Sequence, residues 1–174
     1  VVDEMSDLML VAGGLGFIGA HLVNNLIKKK HKVLIVDNQS TIGGIIYRNP
    51  KCKFLNGNII NPSVIKKIKN WKPQIIYHLA AQSGGESAYL DEKNDFLSNG
   101  FGTLNLCNLA KELKIKHFIY TSSVAVYGSN PNKKINEKSP INPDSIYGVS
   151  KFAGEMFVKQ VLKKNIKKDD FDKL

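Results

Sequence analysis

A doubly wound α/β domain built on a parallel sheet is the fold class this sequence predicts. Three observations carry it. Short apolar runs alternate with helix-length segments, which is the spacing of strand–helix–strand crossovers. Glycines crowd one turn, Gly13-Gly14-Leu15-Gly16 and on to Gly19, where the first apolar run meets the first helical stretch. The second run, Lys32 to Asp37 (KVLIVD), is enriched in valine and isoleucine and ends on a carboxylate.

Taken in order, Leu8-Ala12 is an apolar run closed by glycines, and Phe17-Lys29 has helical periodicity. Lys32-Asp37 reads as a buried strand and Lys53-Asn56 as a shorter one. Pro62 to about Asn70 reads as a helix, with proline in the first turn where its missing N–H would have had no partner. Gln74-Leu79 (QIIYHL) is the fourth strand, a long helix covers about Asp95 to Leu113, and His117-Thr121 (HFIYT) is the fifth strand. Ser129-Asp144, rich in Pro, Asn and Lys, is a loop of a length that is usually functional or disordered. The helix carrying Tyr147 runs to about Lys163, and Asn165-Leu174 is expected to be a frayed tail. One domain is thus expected over residues 1–163, with a basic tail over 164–174.

Composition narrows the class. The 174 residues are 43% hydrophobic and 23% charged, ordinary for a globular domain with a real core. Ile75-Ala81 is strand-sized and no apolar run reaches membrane-spanning length, so no membrane partner is expected. Val1-Val2-Asp3-Glu4 is unlike a secretory leader, and the missing initiator methionine suggests a processed or partial chain. Cys52 and Cys107 fit no metal spacing and are expected reduced, as in the cytoplasm. The net charge of +10 invites a nucleic-acid reading. The lysines instead fall in short groups that mostly close helices, and no aromatics are interleaved with them as a base-stacking surface requires. A solvated lysine-rich surface is the better account, and no nucleic-acid partner is expected.

The glycine turn has the strand before it and the helix after it that a dinucleotide site needs. Glycines there allow a tight turn and let the backbone approach a pyrophosphate seated on the helix N-terminus. Two registers fit, Gly13-Gly16-Gly19 and Gly14-Gly16-Gly19. Asp37 closes the second strand, where a carboxylate can accept hydrogen bonds from ribose hydroxyls and would repel a 2′-phosphate. NAD is therefore expected over NADP.

Further along, Tyr147 and Lys151 stand one helical turn apart, so the phenol and the ammonium share a face. A free tyrosine, with a pKa of about 10, is a poor base at neutral pH; a nearby positive charge favours the phenolate. Such a pair can take a proton from an alcohol or return one to a carbonyl.

With these residues in view, the chain resembles the extended branch of the short-chain dehydrogenase/reductase family, the nucleotide-sugar epimerases and dehydratases. The resemblance runs from about Leu8 to Lys159 with motifs in family order. TGGxGFIG appears as Ala12 to Gly19, with Ala12 in place of threonine, and implies cofactor contacts from Gly13, Gly16, Phe17, Ile18 and Gly19. DNxS appears as Asp37-Asn38-Gln39-Ser40, implying ribose contacts from Asp37, Asn38 and Ser40. HLAA appears as His78-Leu79-Ala80-Ala81, the last three lining the cofactor. Asn99 with Gly102-Thr103 matches NxxGT, Ser122-Ser123 with Val126-Tyr127-Gly128 matches SSxxVYG, and Tyr147 to Lys151 matches YxxSK. The adenine-contacting aspartate of the family is here Asn58, followed by Ile59. The family continues after the Tyr/Lys helix into a further strand and a substrate-binding domain, and nothing like that follows Lys159.

The resemblance implies a Rossmann-like NAD-binding domain with Ser123, Tyr147 and Lys151 as catalytic residues and a nucleotide sugar, most simply a UDP-hexose, as substrate. Tyr147 would take the 4-hydroxyl proton, Lys151 would hold the nicotinamide ribose, and Ser123 would bond the same sugar oxygen. Dehydratases of the family place an Asp/Glu pair just after the serine, where this chain has Val124 and Ala125, so 4-epimerisation is favoured over 4,6-dehydration or reduction. The resemblance also implies a homodimer through the helices Asp95-Leu113 and Ile146-Leu162. A reading of another class is a non-catalytic NAD-binding fragment. His78 reads better as a packed core histidine, Tyr127 as a packing residue, and Ser83 and Ser87 as ordinary loop serines as readily as sugar ligands.

Overall fold

The computed structural model describes residues 6–40, 49–82, 91–129 and 134–162; Ser83, Ser87, the N-terminal four residues and the tail after Leu162 lie outside them. Strands β1 (Leu8–Ala12), β2 (Lys32–Asp37), β3 (Lys53–Asn56), β4 (Ile75–His78) and β5 (His117–Tyr120) form one parallel sheet in the order β3-β2-β1-β4-β5. Helix α1 (Phe17–Lys28) connects β1 to β2, and α2 (Pro62–Trp71) connects β3 to β4. The doubly wound parallel fold expected from the sequence is the one observed.

The chain divides into two units. The first, Val1–Ala80 with Glu112–Thr121, holds the sheet. Its core joins Met9 and Val11 of β1, Leu15 of the turn, Val23 and Leu26 of α1, Val33 and Ile35 of β2 and Ile75 of β4. Burying such aliphatic side chains contributes about 1.5–3 kcal/mol each, the main term holding the sheet to its helix. Helix α1 ends with Lys30 in the left-handed region (φ 63°), its N–H donating to Ile27 O while His31 N–H donates to Leu26 O. That pair of bonds satisfies the last carbonyls of the helix. Strand β4 is one residue shorter at each end than Gln74-Leu79. Gln74 and Leu79 still bond to Leu8 and Ala12 of β1, but outside the four-residue ladder.

The second unit is Ala81–Lys111 with Ser122–Leu174. It contains α3 (Glu92–Phe96), a π turn (Leu97–Phe101), the start of α4 (Gly102–Leu113), a 3-10 turn (Val124–Tyr127) and α5 (Ile146–Leu162). The single helix expected from Asp95 to Leu113 needs correction. It begins at Glu92, where Asp91 accepts a hydrogen bond from Asn94 N–H, and the π turn interrupts it. Gly102 N–H reaches back five residues to Leu97 O, and Thr103 Oγ1 donates to Asn99 O at 2.5 Å. Periodicity over a long window smooths over one inserted residue, so this turn left no mark in the sequence pattern. Among the described residues no helix is long and apolar enough to cross a membrane.

Candidate active site

The first unit builds a cradle at the carboxyl ends of β1 and β4, the point where strand order reverses and ligands of open α/β sheets bind. Three of the four glycines at the turn stand there for three different reasons. Gly13 has φ +81°, and a Cβ there would meet Ala80 N at 2.6 Å. Gly19 lies in the first turns of α1, and a Cβ would meet Gly13 O at 2.2 Å. Gly16 has neither constraint: its backbone is extended, and the nearest atom to an added Cβ is Gly13 O at 3.5 Å. The fold does not need glycine at 16, whereas a ligand that must approach that backbone does. Phe17 and Ile18 open the helix with exposed side chains, and no acidic residue occupies its first turn. Their backbone N–H groups, with the helix dipole, offer a site for an anion.

Asp37 ties this cradle together. Its Oδ2 accepts from Leu15 N–H at 3.0 Å and its Oδ1 from Gln39 N–H at 2.8 Å. Its own carbonyl accepts from Gly57 N–H at 3.0 Å, bringing the end of β3 alongside. Each carboxylate oxygen keeps a second lone pair for a hydroxyl donor. Asn38 Oδ1 accepts from Ser40 N–H, and Asn58 Oδ1 from Ile60 N–H, so both amides shape their loops. Ile59 is buried. Leu79 and Ala80 follow β4 directly, beside Gly13. His78 is buried against the rings of Phe118 and Tyr120, a packed core histidine as expected. Asp37 and the Gly16 opening, with the empty first turn of α1, fit a dinucleotide's ribose and pyrophosphate.

The second unit carries the three residues that the family resemblance implies for proton transfer, Ser123, Tyr147 and Lys151. Ser123 precedes the 3-10 turn and its Oγ accepts from Ala125 N–H at 3.2 Å, which leaves the hydroxyl hydrogen to donate elsewhere. Helix α5 begins after Ser145, whose Oγ accepts from Gly148 N–H. Gly148 packs so closely that a Cβ would meet Ala125 O at 2.5 Å, which seats the first turn of α5, and Tyr147 with it, against the turn that follows Ser123. Residues 142–144 reach the same place: Asn142 N–H donates to Val126 O, and Asp144 accepts from Ser129 N–H at 2.7 Å. Tyr147 is partly buried and Tyr127 packs in the 3-10 turn.

Lys151 is buried, and burial pushes its ammonium down from 10.5 to about 8, with the Glu155 and Asp95 carboxylates pulling the other way. Ser122 Oγ donates to Glu155 Oε1, one turn beyond Lys151. Asn99 does not stand alone: its Oδ1 accepts from Gln82 N–H at 2.7 Å and its Nδ2 donates to Gln82 O at 3.2 Å, so the amide grips the backbone just after Ala81. Asp95, Gly148, Ser150 and Glu155 were missed by sequence reasoning. The i−4 spacing of Asp95 from Asn99 and the serine inside the Tyr/Lys motif were the available signals.

A family model described as the NAD dependent epimerase/dehydratase family matches residues 9–167. A UDP-glucose 4-epimerase of Mycolicibacterium smegmatis is 32% identical over 86% of this chain and 49% of its own. A dTDP-D-glucose 4,6-dehydratase of Dictyostelium discoideum is 33% identical over 92% of this chain and 42% of its own. The crystal structure of a Thermus thermophilus UDP-glucose 4-epimerase in complex with NAD matches with a TM-score of 0.82 at 28% identity, covering 90% of this chain and 51% of that one. The chain spans about half the length of the curated relatives it matches.

Proposed function

This chain belongs to the NAD dependent epimerase/dehydratase family, and from that premise we propose that it carries the cofactor and acid–base residues of a nucleotide-sugar 4-epimerase. The carrying observation is the pair on α5: Tyr147, seated by Gly148 against the turn after Ser123, with the buried Lys151 one helical turn on. NAD supplies the acceptor for the C4 hydride when bound. Gly13, Gly16, Phe17, Ile18 and Gly19 would hold its pyrophosphate, and Asp37, Asn38 and Ser40 its adenosine ribose. Asn58 and Ile59 would hold its adenine, with Leu79, Ala80 and Ala81 lining it. Tyr147 would take the proton from the sugar 4-hydroxyl, and Lys151, one helical turn on, would hold the nicotinamide ribose. Ser123 donates its remaining hydroxyl hydrogen to the sugar oxygen, and Asn99 keeps the Ala81–Gln82 backbone in place.

Relatives include both epimerases and dehydratases, so the choice rests on side chains. Val124 is 67% exposed at the head of the 3-10 turn and Ala125 follows it; neither can move the proton that elimination of water requires. This supports epimerisation. A panel of UDP- and dTDP-hexoses incubated with the protein and NAD tests it. The expected product is the C4 epimer of a UDP-hexose; a 4-keto-6-deoxy sugar would instead establish the dehydratase reading. NAD binding without turnover of any sugar would establish the fragment reading.

A homodimer through the two long helices is part of the same proposal. Phe96 and Phe101 on the first, and Ile146, Val149 and Met156 on one stripe of α5, are exposed apolar side chains that a helix–helix interface would cover.

A further inference from the structure

The second unit holds a buried polar cluster outside the residues that carry the reaction. Asp95 of α3, Asn99 of the π turn and Ser150 of α5 are each 1% exposed or less. Ser150 Oγ donates to Asp95 Oδ1 at 2.5 Å, and Asn99 Nδ2 donates to Asp95 Oδ2 at 3.2 Å. Ser150 Oγ also lies 3.0 Å from Asn99 Nδ2 and 3.0 Å from the Tyr147 carbonyl. Removing a carboxylate from water is costly unless donors and an opposite charge offset it. The donors are present, and the opposite charge is Lys151, buried and next in sequence to Ser150.

We propose that Asp95 is the positioning residue of Lys151: a buried carboxylate, fixed by Ser150 and Asn99, that keeps the neighbouring ammonium charged and in place. Its meaning for catalysis rests on the epimerase reading; its physical content does not. The π turn gives the cluster its geometry, because the inserted residue turns Asn99 toward Asp95 and the Gln82 backbone at once.

Among the described residues, the elements packed against the start of α5 bring few charged groups near Lys151. On its own helix stand Tyr147 and Glu155, and Glu155 is engaged by Ser122. From α3 comes Asp95, while Glu92 and Lys93 of that helix are exposed. The π turn contributes no titratable group, and the 3-10 turn contributes Tyr127 alone. Burial pushes Asp95 up from the ordinary carboxylate value, against the pull of Ser150, Asn99 and Lys151. Burial pushes the Lys151 ammonium down to about 8, and the Glu155 and Asp95 carboxylates oppose that fall.

The test is the titration of Lys151 itself, followed by carbon-13 NMR of lysine labelled at Cε and assigned by its absence in Lys151→Met. Wild type should show a midpoint at about 8. Asp95→Asn and, as a second variant whose apolar side chain needs no partner, Asp95→Leu should each lower it by about one pH unit. An unchanged midpoint in either folded variant overturns the proposal. Carbon-13 NMR of the aspartates needs no variant: Asp95 ionised at neutral pH supports the proposal, and Asp95 protonated there overturns it. None of these readouts needs NAD or a sugar, so they can fail while the epimerase reading stands. Conversely, absent turnover with a lowered midpoint would remove the epimerase reading and leave the positioning role intact.

Discussion

Tyr147→Phe is expected to lower kcat for the UDP-hexose by about 10³-fold while leaving the Kd for NAD within a few-fold of wild type. The substitution removes one oxygen and keeps the ring. The first turn of α5 is held by Ser145, Gly148 and the Ala125 backbone, none of which touches the phenol oxygen. The helix should therefore form as before. What disappears is the group proposed to take the 4-hydroxyl proton, and general acid–base catalysis is worth 10²–10⁴-fold, so about 10³ is the central expectation. Turnover assays with calorimetric titration of NAD check it. Turnover within tenfold of wild type would mean that another group moves the proton. A loss of NAD binding as large as the loss of turnover would mean the tyrosine acts through the fold.

The glycine turn gives the second large effect, and here two substitutions separate fold from ligand. In a helix, alanine normally exceeds glycine by about 1 kcal/mol, so Gly19→Ala ought to stabilise an ordinary helix. At this position the new methyl would stand 2.2 Å from Gly13 O and 2.8 Å from Gly14 Cα, both backbone atoms of a turn that cannot give way cheaply. The expected outcome is a loss of about 1–3 kcal/mol in unfolding free energy, with NAD binding weakened more than tenfold because the turn itself is displaced. Gly16→Ala should behave oppositely on the first count. Its methyl meets nothing closer than 3.5 Å, so stability should stay within about 0.5 kcal/mol of wild type. NAD binding should nonetheless fall at least tenfold, since the methyl occupies space the pyrophosphate needs. Denaturant unfolding and NAD titration on the two variants read both effects. A Gly16→Ala variant that binds NAD normally would show that the opening at Gly16 serves no ligand.

Much of this was legible before any coordinates. Strands β1, β2 and β3 fall on the residues their apolar runs mark, because a short valine- and isoleucine-rich run between turn signals leaves little choice. The glycine turn could be located but not apportioned. Sequence shows glycines that fit two registers; only geometry shows that Gly13 answers a backbone angle, Gly19 a backbone collision, and Gly16 neither. The interruption of the α3–α4 helix was hidden, since one inserted residue in the π turn leaves the apolar pattern of the long helix almost unchanged. Asp95 was hidden for a related reason. In sequence it marked only the start of the long helix, whereas Asp91 caps that helix and Asp95 is buried. Long-range pairings such as Ser150 with Asp95, 55 residues apart, leave no trace in local pattern.

In the proposed epimerisation, hydride leaves and returns to the same sugar carbon while Tyr147 handles the oxygen-bound proton. Incubating C4-deuterated UDP-glucose with the protein and NAD in ordinary water examines that directly. The expected product is UDP-galactose with the deuterium retained at C4, because the hydride never exchanges with solvent. Epimer carrying hydrogen in place of that deuterium would contradict it.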